Sequence, residues 1–285
     1  MAAVTTERLM QIALEMAGWD IDAIPGDCAI YYPGTRIGHV LMGIDVGAAE
    51  LFMARQLGYH AVIAHHPTGY AGPFWDVYHL HVGQMVAAGV QREVAEEAVV
   101  ARIEGFKAAS QRENYDHTAS VARLLEIPFL NIHSPLDEVG RRIMQRTVDA
   151  QLVLKPDSTV AEVRDALMQL PEYAAARTEM QNPLGSWDAP AGKVVVSHGA
   201  YTNGGYPVAR AYLTNGVDTI CCIHFPLEDA QRLASEGVRG NILVMGHIAG
   251  DSVGINPYIA QLRESGLEVT TFSGIIGGDD QERIP

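Results

Sequence analysis

The order of hydrophobic and polar residues predicts alternating helices and strands in the first part of the chain. Apolar positions at helical spacing predict an amphipathic helix over Thr5–Ala17. Two apolar runs, His39–Asp45 and Gly58–Ala64, predict buried strands, and Ala48–Leu57 between them predicts a helix. A strand–helix–strand unit of this kind places its two strands parallel in one sheet, so we predict an α/β fold.

The middle of the chain changes to longer helical patterns. Three segments, Val77–Ala88, Glu93–Gln111 and Asp116–Leu125, have helical periodicity, and Glu126–Ile132 closes with a strand pattern. We interpret the region of about 70–125 as a helical insertion in the first lobe. Its helices near Val77–Gln111 form either a lid or an oligomer contact.

The second half repeats the strand–helix–strand plan, from Lys193–His198 to a last strand at Glu268–Phe272. The segment Pro171–Gly192 contains prolines 171, 183 and 190 and lacks sustained periodicity. We therefore predict two similar α/β lobes with mixed or mainly parallel sheets: residues 1–170 and 193–285, joined by a linker at 171–192.

The segment Ala61–Pro67 is an apolar run that ends in two adjacent histidines and a proline. Open α/β sheets have their functional sites at the carboxyl ends of strands, and imidazole is a common metal ligand in proteins. His65 and His66 are therefore candidate ligands. The alternative is that they are hydrogen-bonded structural residues at the edge of a core.

Two further histidines follow predicted strands, each with an aspartate four residues later. His133 with Asp137 and His247 with Asp251 share a spacing that puts both side chains on one face of a helical turn. Mixed nitrogen and carboxylate ligands suit Zn, Mn, Fe, Co or Ni. Six candidate ligands fit two divalent ions with a bridging carboxylate, whereas the alternative makes both aspartates helix caps or first-turn acids.

Composition narrows the partners and the cellular setting. The chain has 285 residues and 48% hydrophobic content, and 20 basic against 34 acidic residues give a net charge of −14. This charge disfavours nucleic acid and anionic membranes. Three cysteines form no disulfide framework, and no signal peptide or long apolar segment is visible, so we predict a soluble, cytoplasmic protein.

These residues resemble the family of dinuclear metal proteins named after the yeast Ngg-one-interacting factor three, often called GTP cyclohydrolase I type 2-like. The matching motifs are Gly43-Ile44-Asp45 with Ala61–Pro67, then His133–Asp137, then Gly246-His247 with Asp251. The resemblance implies two lobes flanking a metal-binding cleft and a toroidal homohexamer. It implies two bound metal ions, with the ligands His65, His66, His133, Asp137, His247 and Asp251.

The chain departs from the family pattern at several points. Asp251 stands where relatives usually have a glutamate, and His224 stands where they usually have an acidic residue. His224 is either an additional metal ligand, or a residue that supports a ligand, or a histidine with no role in metal binding. Asp45 is either a site residue or a turn former. The segment between Pro67 and His133 is about twice as long as in compact relatives.

The ligand set predicts a metal-dependent hydrolase of a small-molecule substrate, in which two divalent ions activate a bridging water. Candidate substrates are a phosphoester or a cyclic amide or purine-type ring. The alternative is a non-catalytic metal-handling or regulatory binding protein, since the sequence identifies no dedicated general acid and no Gly-x-x-x-x-Gly-Lys phosphate loop.

Overall fold

The computed structural model describes residues 4–69 and 73–277. In chain order its elements are α1 (Thr6–Ala17), β1 (Ala29–Tyr32), β2 (His39–Gly43), α2 (Ala48–Leu57), β3 (Ala61–Ala64), a 3-10 turn (Phe74–His79), α3 (Leu80–Ala87), α4 (Arg92–Ser110), α5 (His117–Leu125), β4 (Phe129–Asn131), α6 (Ser134–Leu154), α7 (Val160–Leu167), α8 (Pro171–Ala174), β5 (Gln181–Leu184), β6 (Val194–Val196), α9 (Gly205–Leu213), β7 (Thr219–Cys222), α10 (Leu227–Ser235), β8 (Asn241–Val244), α11 (His247–Glu264) and β9 (Glu268–Phe272). The predicted α/β class is confirmed.

The chain folds into two compact units, each with one mixed sheet. The first unit comprises Met1–Val77, Ala109–Val139 and Gly254–Pro285, and the second comprises Tyr78–Ala108 and Gly140–Val253. None of the helices in the described ranges combines the length and the apolar character that crossing a membrane requires.

The sheet of the first unit has the strand order β1-β4-β3-β2-β9. Strands β4, β3, β2 and β9 run parallel, and β1 is an antiparallel edge strand. Successive residues of β3 pack into two different hydrophobic clusters, because side chains alternate between the two faces of a strand. Ile63 packs with residues of α1 and α11, whereas Val62 packs with residues of α2 and α5. This burial on both faces explains the unbroken apolar run.

The sheet of the second unit has the order β5-β8-β7-β6, with β5 antiparallel at the edge. Every residue of β7 is buried, including Cys221 and Cys222. Burial raises the pKa of the Cys221 thiol to about 12, so it stays protonated at neutral pH. These cysteines are part of the core.

The two units do not coincide with the sequence-based boundaries at 1–170, 171–192 and 193–285. Strand β9 pairs with β2, which returns the C-terminal segment to the first sheet. The segment treated as a linker contains β5, which pairs with β8. The inserted segment Tyr78–Ala108 belongs to the second unit, where the Tyr78 hydroxyl donates to the Gly204 carbonyl at 2.6 Å.

The sequence pattern predicts a helix over Asn256–Ser265, whereas helix α11 begins nine residues earlier. It starts directly at His247 and contains Pro257 in its interior. A proline removes one helical hydrogen bond and normally marks a boundary, and three glycines nearby weaken the apolar periodicity. Those features concealed the first turns of the helix in the sequence.

Candidate metal centre

Three parallel strands of the first sheet end at the same edge, and each is followed by a polar side chain. Asp45 follows β2, His65 and His66 follow β3, and His133 follows β4. The backbone N–H of His65 donates to the Gly43 carbonyl at 2.9 Å, which continues the β2–β3 pairing past the end of the strand. The topology of the sheet therefore gathers these side chains.

The three histidines form a compact cluster. Their ring centroids lie 5.3 Å apart for His65 and His66, and 4.9 Å apart for His65 and His133. Each ring offers one nitrogen, and these nitrogens all lie within 4.8 Å of one another. His65 and His133 are buried, whereas His66 is partly exposed.

Each of the three rings holds its Nδ1 against an oxygen that only accepts hydrogen bonds. His65 Nδ1 lies 3.0 Å from the Ile132 carbonyl, and His66 Nδ1 lies 2.7 Å from Asp45 Oδ1. His133 Nδ1 lies 2.8 Å from Asp27 Oδ2. Nδ1 must therefore carry the proton in every ring, which leaves Nε2 as the nitrogen with a lone pair. Metal-ligating histidines in proteins are oriented in this way.

A buried carboxylate lies against these nitrogens. Asp137, in the first turn of α6, has Oδ1 3.2 Å from His65 Nε2 and Oδ2 3.6 Å from His133 Nε2. A nitrogen lone pair that faces a carboxylate oxygen is repulsive unless a cation or a proton lies between them. The donor set of imidazole nitrogen and carboxylate oxygen thus fits a divalent transition metal, and these residues can hold such an ion.

Asp27, which supports His133, is a residue of the site that the sequence does not predict. This carboxylate is buried, and its Oδ2 accepts hydrogen bonds from His133 Nδ1 and, at 2.5 Å, from the Ser134 hydroxyl. The neighbouring Cys28 accepts from the His133 backbone N–H at 3.3 Å. Burial and the charge of Asp27 raise the pKa of the Cys28 thiol well above its usual value, so Cys28 is a packing residue rather than a thiolate ligand.

The second unit contains the other predicted pair. His247 and Asp251 lie one turn apart at the start of α11, with His247 Nε2 3.3 Å from Asp251 Oδ2. Asp251 is buried and His247 is half-exposed. Asp251 lies inside the helix and not at its cap, so the interpretation of Asp251 as a cap of the turn is wrong.

His224 lies beside this pair. Its ring is 5.0 Å from that of His247, and its Nε2 lies 3.1 Å from the side-chain amide nitrogen of Asn203. Asn203 Oδ1 already accepts from the Ile223 N–H at 3.1 Å, so its amide nitrogen is the donor to His224. In this arrangement His224 Nε2 is occupied by Asn203, and the residue is a neighbour of His247.

The structure brings four predicted residues together in the first unit: His65, His66, His133 and Asp137. Asp45, which the sequence leaves as either a site residue or a turn former, forms a hydrogen bond with His66. The assignment of His247 and Asp251 to the same two-metal set stays a prediction.

The chain is similar to proteins of known structure. No protein-family model matches the chain, and no curated protein matches it. The crystal structure of a NIF3 superfamily protein from Sphaerobacter thermophilus has 50% sequence identity and a TM-score of 0.91, covering 96% of this chain and 100% of its own.

More distant structures share the fold. A Bacillus cereus protein related to NIF3 has 11% identity and a TM-score of 0.55, with 98% of this chain and 99% of its own chain covered. Reduced HcgD from Methanocaldococcus jannaschii has 9% identity and a TM-score of 0.56, with coverage of 95% and 98%. At these identities the likeness shows the fold alone.

Proposed function

Because this chain belongs to the NIF3 superfamily, we propose that it is a metal-dependent hydrolase whose buried histidine cluster binds divalent ions. One observation carries the proposal: three imidazoles have their Nδ1 proton fixed by an acceptor, and two of them, His65 and His133, present Nε2 to the buried Asp137. Histidines that ligate a metal are typically held in this way, through a hydrogen bond from the other ring nitrogen.

The proposed ligands in the first unit are His65, His66, His133 and Asp137, and we propose that His247 and Asp251 complete the set for a second ion. Nitrogen and carboxylate donors suit Zn, Mn, Fe, Co or Ni. When bound, such ions act as Lewis acids that make water more acidic and polarise a carbonyl or phosphoryl oxygen.

The residues of the chain have separate tasks in this proposal. Asp27 and Asp45 hold the rings of His133 and His66 in place through Nδ1. The burial of His65 and Asp137 keeps bulk water from that side of the centre, which strengthens electrostatic interactions with a cation. His66 is partly exposed, and a small-molecule substrate would approach the centre from its side.

Metal analysis tests the first part of the proposal. Protein purified without chelator should contain about two transition-metal ions per chain, as a two-metal hydrolytic centre requires. Asp251→Ala should keep only about one ion if this carboxylate bridges, whereas Asp251→Glu should keep both. If Asp251→Ala still contains two metal ions, Asp251 does not bridge them. The absence of metal in the wild-type protein would contradict the whole proposal.

A hydrolysis screen tests the second part. The metal-loaded protein should hydrolyse a phosphoester or a cyclic amide, and His133→Ala should abolish the turnover together with metal binding. The exposed His117→Ala, which lies at the start of α5, is the matched control and should leave both unchanged. Stoichiometric, exchangeable metal without any turnover would instead support the non-catalytic metal-handling alternative.

A further inference from the structure

An open pocket of about 500 Å³ lies beside His66 in the first unit. Its walls include Asp45, Glu50, Phe272 and Ser273, and His66 itself forms part of the lining. Since His66 is also a proposed metal ligand, a molecule in this pocket would lie next to the metal centre.

The pocket is acidic, and its described lining contains no Lys or Arg. Asp45 uses Oδ1 for His66, and its side chain is 75% exposed, so the carboxylate stays accessible to a ligand. Glu50 accepts the Gly47 N–H at 2.8 Å through Oε2 and adds a second carboxylate to the wall. Two carboxylates without Lys or Arg accept N–H donors and repel anions.

Phe272 gives the pocket an aromatic wall that is held in place. The residue pairs with Gly43 across β9 and β2, and a Cβ atom on Gly43 would lie 2.5 Å from the Phe272 ring. The ring therefore packs directly over the glycine backbone. Its position on the last residue of a paired strand gives it little freedom, as a stacking surface for a flat ligand requires.

We propose that this pocket is the substrate subsite of the hydrolase, and that it binds a flat, neutral or cationic ring with N–H donors rather than a phosphoester. The ring lies on Phe272 and donates to Glu50 and Asp45. This inference rests on the proposed hydrolase function. Of the two candidate substrate classes, it favours the cyclic amide over the phosphoester. A phosphate dianion would meet both carboxylates at short range.

Binding measurements separate this inference from the proposed function. Isothermal titration calorimetry with hydantoin, a five-membered cyclic imide, and with phenyl phosphate should be run on both metal-loaded and metal-free protein. Hydantoin should bind both forms, because the carboxylates and the aromatic wall belong to the chain itself. Phenyl phosphate should show no binding to the metal-free form.

Three variants assign the binding to the pocket. Glu50→Gln should weaken hydantoin binding by about tenfold, because a hydrogen bond to a charged acceptor becomes a neutral one. Phe272→Leu should weaken it several-fold through the loss of ring stacking. Glu264→Gln, an exposed glutamate of the same unit outside the pocket, is the control and should bind like the wild type.

Each failure has its own signature. Hydantoin affinity that is unchanged in both Glu50→Gln and Phe272→Leu, or phenyl phosphate that binds the metal-free protein more tightly than hydantoin, overturns the subsite. If the purified protein contains no metal but hydantoin binding still depends on Glu50, the proposed hydrolase function is wrong. The pocket then remains a binding site for the ring. A glutamine at position 50 retains an acceptor for the Gly47 N–H, so the variant is expected to fold.

Discussion

Two aspartates determine which nitrogen faces the candidate metal centre in two of its three histidines. Asp27 holds His133 and Asp45 holds His66, both through Nδ1. The two carboxylates differ in environment, since Asp27 is buried and Asp45 is mostly exposed. The buried partner has fewer ways to be replaced by water, so it should matter more for metal affinity.

Asp27→Asn should weaken metal binding by about tenfold or more, the usual effect of changing a residue that supports a ligand. The asparagine oxygen can still accept from His133 and Ser134, so the fold is expected to survive while the negative charge is lost. A competition titration with a chromogenic chelator measures the effect. The exposed Asp22→Asn is the matched control, and equal affinity in the two variants would contradict a supporting role for Asp27.

His81 makes stability depend on pH. Burial lowers the pKa of this residue from 6.5 to about 4, while its Nε2 donates to the Thr202 carbonyl at 2.8 Å. Between pH 6.5 and 4 the unfolded chain binds a proton that the folded chain does not, so stability falls as pH falls through this window. At pH 4 this proton uptake lowers the free energy of unfolding by about 3 kcal/mol relative to neutral pH.

Urea unfolding at several pH values tests this prediction. The wild type should lose more stability between pH 6.5 and 4 than His81→Gln, which keeps a donor for the Thr202 carbonyl but does not titrate. His198 also lowers the pKa of His81, so both proteins in this comparison keep His198 unchanged. Parallel pH profiles for the two proteins would show that another group causes the loss.

The sequence predicted the residues of the site that stand at the ends of recognisable elements. His65 and His66 end an apolar run, and Asp137 stands one helical turn after His133. Asp27 was not predictable in this way, because its partner is 106 residues away in the chain. Only the antiparallel pairing of β1 with β4 brings them together. Long-range pairing leaves no local signal in a sequence.

Elements with strong local signals were predicted well. Helix α2 spans Ala48–Leu57, as its pattern indicates, and it ends at Gly58 in a left-handed conformation. Strand β5 was missed because its four residues include Pro183 and have no apolar run, as suits an edge strand. The position of β5 at the sheet edge is set by its antiparallel pairing with β8, which the local sequence does not reveal.

Two glycine variants test how closely the elements pack. Gly43→Ala places a Cβ atom 2.5 Å from the Phe272 ring and should destabilise the fold by about 1–3 kcal/mol. Gly105→Ala, in the exposed interior of α4 with open space around it, should instead stabilise by about 0.5–1 kcal/mol. Chemical denaturation measures both, and a neutral Gly43→Ala would show that the ring moves aside freely.

At the scale of the whole molecule, the two units are interleaved along the chain. The first unit is assembled from three segments and the second from two. The sequence shows two series of strand–helix–strand patterns, but it does not show which sheet a late strand joins. Strand β9 enters the first sheet beside β2, and this pairing depends on the tertiary structure rather than on local periodicity.

The exposed apolar side chains of the first unit support the proposal that the chain assembles into a homo-oligomer, a hexamer by family resemblance. Phe52 and Leu57 on α2 and Leu124 on α5 are exposed, and α2 packs against α5. Exposed apolar side chains on adjacent helices are typical of protein interfaces. Light scattering at micromolar concentration should give a mass larger than that of a dimer.

A pair of double variants tests whether this surface is the interface. Leu57→Ser with Leu124→Ser should lower the measured mass, because the polar hydroxyls remove apolar area that would be buried between copies. The control, Val153→Ser with Leu154→Ser, changes two exposed apolar residues at the end of α6 and should keep the wild-type mass. A wild-type protein that is monomeric would contradict the proposed assembly. A reduced mass in the control alone would place the interface at α6 instead of α2 and α5.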